Sequence, residues 1–223
     1  MTQQFTTPAP ITAVLDMPAG RVQLIAADRG DTVVEVRPAD ASKHRDVKAA
    51  EQTTVEYRDG VLRVELPTSV QILGPSGSIE VTVQLPAGSD VQATGAATDF
   101  RGVGRLGQVA VEAAQSETKL DEAAGARVTL QAGNVTVGRL TGGAEISIAK
   151  GDIRIDEAVR GSLVLGTQAG DITVVTAPGV SATLDAGATY GRIQNALTNT
   201  KGADAELAIQ ASTSYGNIEA RSL

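Results

Sequence analysis

Hydrophobic and polar residues alternate along most of the chain, a pattern typical of β-strands with one buried and one exposed face. Residues 11–37 contain three such runs, separated by residues 18–20 and 28–30, which are rich in Gly, Pro and Asp. The pattern predicts three strands joined by two turns. Two further alternating runs flank Asp59-Gly60, the favoured two-residue turn, so residues 53–66 are expected to form a β-hairpin.

The remainder of the N-terminal half adds two strands and one helix to this prediction. Residues 78–86 alternate most cleanly, and residues 69–73 predict a shorter strand followed by a loop. Residues 39–51 are the only helix candidate in the sequence, with Asp40 or Ser42 as the expected N-cap.

The second half of the chain repeats one phrase, a glycine followed by alternating residues, as in Gly151-Asp-Ile-Arg-Ile. The successive starts are 18, 19, 21 and 25 residues apart, at Gly133, Gly151, Gly170, Gly191 and Gly216. Each copy is too short to bury its own apolar face, so neighbouring copies must stack on one another. From Val91 onward the chain divides into repeats of about 17 to 23 residues, and this periodicity predicts a β-solenoid.

Most of these repeats contain two short apolar alternations joined by small residues. In one repeat, Ile146 and Ile148 form the first apolar pair, and Ile153 and Ile155 form the second. Because side chains in a strand alternate between its two faces, both residues of a pair lie on the same face. We therefore expect these pairs to point inward and to stack on the equivalent pairs of neighbouring repeats.

The composition agrees with a narrow, stacked core. The hydrophobic share is 42% but the aromatic share only 2%, so Val, Ile, Leu, Ala and Thr must form the interior. β-Branched side chains suit stacked strands. The formal net charge is −7, and Lys and Arg are scattered rather than clustered. This charge distribution argues against binding to nucleic acid or to an anionic membrane surface.

Several other functional classes lack their sequence signals. The chain has no cysteine, which removes disulfides, thiolate chemistry and Cys-based zinc sites. Residues 1–10 do not resemble a signal peptide, and the sequence contains no apolar run that could span a membrane, so a cytoplasmic location is expected. Phosphate loops, nucleophile elbows and metal motifs are also missing, and no cofactor is predicted.

An Asn or Asp follows four of the repeat glycines, so a solenoid would align these side chains along one edge. The residues are Asn134, Asp152, Asp171 and Asn217. A column of divalent cations would need the Gly-Gly-x-Gly-x-Asp pattern at a nine-residue period, which this chain does not have. Turn chemistry is the favoured interpretation, because Gly permits a positive φ and Asx side chains hydrogen-bond to their own backbone.

Two tyrosines precede the last two repeat glycines. If the repeats are in register, the rings of Tyr190 and Tyr215 stack on each other. A sugar-binding platform is the functional alternative for this pair. His44, the single histidine, lies among charged residues and is expected to be a solvated surface group. Stacked carboxylates such as Asp152 and Asp171 are interpreted as surface charges rather than as a glycosidase pair.

The sequence resembles a bacterial family of β-strand-repeat proteins called putative adhesins, a domain of unknown function. The resemblance lies in residues 10–24, in residues 46–64, in residues 78–89 and in the Gly-Asp-Ile repeats, so it spans nearly the whole chain. It implies a β-solenoid without known catalytic residues, and so no site residue is transferred from the family.

The sequence therefore predicts an all-β protein in which a strand-rich N-terminal region with one short helix (residues 1–90) caps a single-chain β-solenoid, or β-helix (residues 91–223). The favoured function is a non-enzymatic scaffold or protein-interaction module. Because the last repeat ends at Leu223 without a cap, end-to-end self-association through residues 203–223 is expected. The expected interaction surface consists of Tyr190, Tyr215, Asn217 and Leu223. The alternatives are a carbohydrate-binding or carbohydrate-active β-helix and a surface adhesin.

Overall fold

The computed structural model describes residues 1–67 and 77–223, and it is all-β apart from one α-helix and a single 3-10 turn. The strand predicted at residues 69–73 lies outside the described residues. The elements of the N-terminal half are β1 (Thr2–Thr6), β2 (Thr12–Ala27), β3 (Asp31–Pro38), α1 (His44–Gln52), β4 (Thr54–Arg58), β5 (Val61–Glu65), β6 (Ile79–Pro86) and β7 (Asp90–Gln115). Those of the C-terminal half are β8 (Thr118–Ala132), β9 (Val135–Leu140), β10 (Ala144–Lys150), β11 (Ile153–Ala158), β12 (Gly161–Ala169), β13 (Ile172–Thr176), β14 (Ala182–Tyr190), β15 (Ile193–Ala196), β16 (Leu207–Tyr215) and β17 (Ile218–Ser222).

The chain divides into two compact units, Met1–Glu117 (unit 1) and Thr118–Leu223 (unit 2). The repeat pattern of the sequence predicts a change of organisation after residue 90. In the structure, residues 91–117 are grouped with unit 1, because β7 pairs with β2 from Asp90 to Gly104.

Unit 1 is organised around β2, which passes through residues 18–20 without reversing direction. The prediction of a turn there is wrong. Instead, the N-terminal part of β2 pairs with β5, its C-terminal part pairs with β6, and β7 runs alongside both, all in parallel. Gly20 makes this change of partner possible, because its φ is +138° and a Cβ there would lie only 1.9 Å from the carbonyl oxygen of Ile79.

The antiparallel part of unit 1 contains the predicted hairpin. β4 and β5 pair around Asp59-Gly60, and both turn residues have positive φ, 51° and 80°, so the prediction is confirmed. On the other side of unit 1, β3 pairs with β1 and with β6, also in antiparallel orientation.

The helix begins later than the sequence suggested. Lys43 is its N-cap residue and makes no side-chain capping bond, so the assignment of Asp40 or Ser42 as the cap is wrong. Asp40 instead folds the preceding segment, accepting hydrogen bonds from the Ser42 backbone N–H (3.0 Å) and hydroxyl (2.6 Å). These hydrogen bonds lower the pKa of Asp40 to about 2. The buried Asp46 of α1 accepts a hydrogen bond from the backbone N–H of Ser78.

Unit 2 consists of two ladders of parallel strands. The first ladder contains, in spatial order, residues 126–132 of β8, then β10, β12, β16 and β14. The second ladder contains residues 118–123 of β8, then β9, β11, β13, β17 and β15. Each strand of the first ladder is followed along the chain by a strand of the second, and each such consecutive pair is called a repeat below.

The repeats of unit 2 are not stacked in sequence order. The final repeat, β16–β17, lies between β12–β13 and β14–β15 and pairs with both. The expectation that residues 203–223 form the uncapped end of the stack is therefore wrong. The outermost repeat at this end is β14–β15.

The apolar pairs predicted from the sequence form the core of unit 2. Ile146 stacks between Val128 and Leu165, and Ile153 stacks between Val135 and Ile172. All of these side chains are buried, which confirms the predicted pairing. The faces that point outward are mainly polar, with Val164 of β12 as an apolar exception. Ion pairs join neighbouring repeats, for example Arg139 with Glu157 at 2.6 Å.

Candidate functional site

The repeat glycines of unit 2 stack in a column at the turn between the two ladders. In spatial order the column is Gly133, Gly151, Gly170, Gly216 and Gly191. At Gly170 the φ angle is +155°, and a Cβ would lie 1.9 Å from the carbonyl oxygen of Gly151. The backbones of adjacent repeats therefore approach so closely that only glycine fits at this turn.

The Asx residues that follow these glycines hydrogen-bond from one repeat to the next. The Oδ1 atom of Asp152 accepts the backbone N–H of Asp171 at 2.8 Å, and that of Asp171 accepts the N–H of Asn217 at 2.7 Å. Asn217 in turn accepts the N–H of Arg192 at 3.1 Å. The predicted structural role is correct, but the acceptor oxygens reach the neighbouring repeat rather than their own backbone.

We call Asn134, Asp152, Asp171 and Asn217 the Asx column. The outermost repeat has Arg192 at the position where every inner repeat has one of these residues, so the column ends there. Arg192 lies in the outermost repeat and offers no side-chain oxygen to a further repeat stacked in the same orientation. The Arg at this position is one sequence signal for the end of the stack at β14–β15.

The two predicted tyrosines lie at the same end of unit 2. Tyr190 and Tyr215 are register partners, and their ring centroids lie 5.0 Å apart with an interplanar angle of 9°. The predicted stacking of the rings is confirmed. Both side chains are nearly two-thirds exposed, at 63% and 62%. Of the other two residues expected at the interaction surface, Asn217 belongs to the Asx column and Leu223 follows β17 with 64% of its surface exposed.

The outer edge of β14–β15 is open. Both strands pair on one side only within the described residues, with β16 and β17. Most of the inward-facing apolar side chains of β14–β15 are consequently covered on one side only and are partly exposed to solvent. Ile193 is 45% exposed, whereas its register partner Ile218 is 1% exposed. Leu184, Ala186 and Ala188 are half-buried at the corresponding positions of β14.

The connection between β15 and β16, residues 197–206, covers only the beginning of this edge, where Ala182 donates its N–H to the carbonyl oxygen of Thr198. Polar contacts hold this connection. Ser181 Oγ accepts the backbone N–H groups of Thr200 and Lys201, at 3.0 and 3.1 Å. Glu206 pairs with Lys201 and accepts the N–H of Ser181 at 3.0 Å. The hydrogen bond from Lys201 lowers the pKa of Glu206 below its ordinary value.

A shallow groove of about 230 Å³ lies beside the Asx column. Asp171 and Glu219 are its two carboxylates, and Arg192 and Asn217 also line it. The Oδ1 atom of Asp171 already accepts hydrogen bonds from Asn217, from both the backbone N–H and the side-chain amide. Asp171 therefore has a structural role in this groove, where its carboxylate joins neighbouring repeats.

Within residues 1–67 and 77–223, no group of three or more His, Cys, Asp or Glu side chains is placed to hold a metal ion. In that same part of the chain, no helix is long and apolar enough to cross a membrane. His44 lies exposed at the start of α1, where the sequence analysis expected a surface residue.

Comparison with known proteins gives a family but no curated relative. The family model described as Toastrack DUF4097 matches residues 14–222. A putative cell adhesion protein from Clostridium sporogenes is 12% identical, with a TM-score of 0.40 over 100% of this chain and 99% of its own. A putative adhesin from Bacteroides fragilis is 13% identical, with a TM-score of 0.44 over 99% and 96% of the two chains. One from Parabacteroides distasonis is 12% identical, with a TM-score of 0.42 over 98% and 96%. No curated protein matches the chain.

Proposed function

The chain belongs to the Toastrack DUF4097 family, and from this premise we propose that it is a non-enzymatic protein-interaction module whose binding surface is the open end of unit 2. We define the open end as the outer edge of β14–β15 together with Tyr190, Ile193 and Arg192. The proposal includes a β-solenoid form for unit 2. Two observations support that form: the ladders are parallel and in register, and the turn glycines of successive repeats stack in one column.

The proposed function depends on one observation: the stacked, inward-facing apolar side chains of unit 2 are not covered by a further repeat beyond β14–β15. Unpaired backbone N–H and C=O groups along a strand edge are a template for pairing with another chain. Ile193 and the half-buried residues of β14 add apolar surface beside that edge. A partner that adds to the edge would satisfy the backbone groups and cover the apolar surface at the same time.

We propose a second copy of the chain as this partner, in an arrangement in which the two open ends face each other. A further repeat in the same orientation would lack an Asx acceptor, because Arg192 occupies that position. Facing open ends do not require this acceptor, and a twofold contact uses the same surface on both copies. The sequence alone predicts self-association through residues 203–223. Because β16–β17 has neighbours on both sides, we assign self-association to β14–β15 instead.

Light scattering over a range of concentrations tests this assignment. We expect the wild-type chain to dimerise at high micromolar concentration and Ile193→Lys to remain monomeric, because a buried unpaired ammonium is unfavourable. Val164→Lys is the matched control, since Val164 is also 45% exposed but lies on the outer face of the inner strand β12. A monomeric wild type, or equal loss of association in both variants, would contradict the proposal.

Carbohydrate binding is a second candidate function, supported by the exposed pair of stacked rings at Tyr190 and Tyr215. Aromatic faces are suitable surfaces for the apolar faces of sugar rings. The measurement is the melting temperature in the presence of a panel of glycans. A shift that disappears in Tyr190→Ala would support this function, and the lack of any shift would remove it.

The cytoplasmic location expected from the sequence is part of the same proposal. Cell fractionation tests it directly. Recovery of the protein in the soluble cytoplasmic fraction is the expected result, and recovery at the cell surface would favour adhesion instead.

A further inference from the structure

The final repeat of the chain fills a gap between two earlier repeats. We call residues 207–222 the C-terminal segment, and we call the facing edges of β12–β13 and β14–β15 the slot. The C-terminal segment pairs with both sides of the slot. Within the described residues, β14–β15 pairs with no other repeat. Its edge therefore faces the edge of β12–β13 only when the segment lies between them.

The fit between segment and slot is specific. All six inward side chains of the segment are at most 4% exposed: Leu207, Ile209, Ala211, Thr213, Ile218 and Ala220. Asn217 donates its N–H to Asp171 on one side and accepts the N–H of Arg192 on the other. Gly216 provides the close turn, since a Cβ there would lie 1.9 Å from the carbonyl oxygen of Gly170. A segment must therefore match the apolar alternation, the glycine and the Asx acceptor together.

The connection to the segment is suited to release. Residues 197–206 form the longest connection in unit 2, and almost all of them are exposed. The contacts that hold this connection, at Ser181, Asn199 and the Lys201–Glu206 pair, are polar. Ser181 is buried, whereas Asn199, Lys201 and Glu206 are exposed.

We propose that the slot is a binding site for the C-terminal segment of a second copy, so that two copies can exchange residues 207–222. An exchanged dimer would reproduce every segment–slot contact of the single chain. Its free energy would differ from that of two monomers only through the conformation of the connection and the loss of translational freedom. High concentration during folding favours exchange. The inference does not rest on the open-end function, since it uses the inner edges of the slot rather than the outer edge of β14–β15.

The absence of cysteine from the sequence permits a direct test by disulfide trapping. Gly166 of the slot and Ser212 of the segment are register partners, and a Cβ on Gly166 would lie 3.5 Å from Ser212 Oγ. Gly166→Cys and Ser212→Cys chains are unfolded together, refolded over a range of concentrations and then oxidised. Mass spectrometry of the mixed dimer measures exchange, because neither single variant can form this bridge within its own chain.

The matched control mixes Ser147→Cys with Ser212→Cys. Ser147 is the register partner of Gly166 on the side away from Ser212, so one strand separates it from the segment. We expect the mixed dimer of the Gly166→Cys and Ser212→Cys chains to exceed this control several-fold and to increase with concentration. Equal amounts in both mixtures at every concentration would overturn the proposal.

Two additional experiments cover a variant that folds poorly and distinguish exchanged dimers from open-end dimers. If Gly166→Cys folds poorly, Ser162→Cys with Ala208→Cys replaces the pair, since these exposed residues are also register partners. The Ile193→Lys chain refolded at high concentration separates the two kinds of dimer. Exchanged dimers are expected to form in this variant and to survive dilution, whereas open-end dimers are not. A strictly monomeric product at all concentrations would count against exchange.

Discussion

At the scale of single residues, the glycine of each repeat determines how closely the repeats of unit 2 can stack. Gly170 combines a left-handed φ with a close contact to the backbone of the preceding repeat, at the carbonyl oxygen of Gly151. Either feature alone disfavours a side chain. The Asx residue that follows uses the short separation, because its Oδ1 atom reaches the N–H of the next repeat.

Gly170→Ala is expected to lower the free energy of unfolding by about 1–3 kcal/mol from the backbone conformation alone, and by more once the collision with Gly151 is included. Gly187→Ala is the control, because its Cβ would enter open space without a left-handed φ. Gly179→Ala isolates the conformational part, since its φ is +77° and its surroundings are open. Denaturant unfolding measures all three, and equal stability of Gly170→Ala and Gly187→Ala would contradict this account.

The sequence predicts the turn that these residues form within a repeat, but not their hydrogen bonds to the neighbouring repeat. Gly followed by Asx predicts a turn, and the structure has one at each of the four Gly-Asx positions of unit 2. The direction of the Asx hydrogen bond could not be predicted, because it depends on which repeat lies next to it. Asp171 donates its N–H to Asp152 but accepts from Asn217, a residue from much later in the chain.

At the scale of elements, the position of a repeat in the stack determines how much of it is buried. β16 has parallel neighbours on both sides, whereas β14 has one within the described residues. The same inward column therefore passes from Ile209, which is 1% exposed, to the half-buried Leu184. Stability in stacked repeats depends on contacts between nearest neighbours, so these two positions should respond differently to the same substitution.

Ile209→Ala is expected to destabilise the protein by about 2–5 kcal/mol, since it removes a fully buried side chain between two repeats. Leu184→Ala in the same column should cost less, about 1–2 kcal/mol, because Leu184 has a neighbouring repeat on one side only and is already partly exposed. Thermal and denaturant unfolding give both values. If Leu184→Ala were as costly as Ile209→Ala, β14–β15 could not be the open end.

Elements were predictable from the sequence where a local pattern determines them alone. The hairpin at Asp59-Gly60 follows from its turn residues, and the inward pairs around Ile146 and Ile153 follow from strand periodicity. Residues 18–20 were misread because Pro and Gly usually mark a reversal, whereas here Gly20 lets β2 continue past the backbone of Ile79. The helix start was misread because Asp40 and Ser42 bond to each other instead of capping α1.

At the scale of the whole molecule, the order of the repeats determines where unit 2 can meet a partner. Sequential stacking would place the C-terminal segment at the end of the stack, as the sequence analysis expected. The observed order buries that segment and exposes β14–β15 instead. Both the open end and the slot are consequences of this order, so the two proposals share it as their structural basis.

This order could not be deduced from the repeat pattern. Each repeat has the same alternation and the same turn glycine, so the pattern determines the register of a repeat but not its neighbours. Two weaker signals were available. Residues 177–181 and 197–206 form longer connections than residues 159–160, and Arg192 interrupts the Asx column. Their meaning becomes clear only once it is known which strands pair.

The order of the repeats is tested most directly by disulfide formation within one chain at low concentration. Strands of adjacent repeats lie about 4.8 Å apart, and a disulfide cannot join Cα atoms more than about 7 Å apart. Ser212 is the register partner of both Gly166 and Gly187. We predict that Gly166→Cys/Ser212→Cys and Gly187→Cys/Ser212→Cys chains form internal disulfides and that Gly166→Cys/Gly187→Cys does not. A bridge between residues 166 and 187, without bridges to residue 212, would show that the repeats stack in sequence order and would contradict the account.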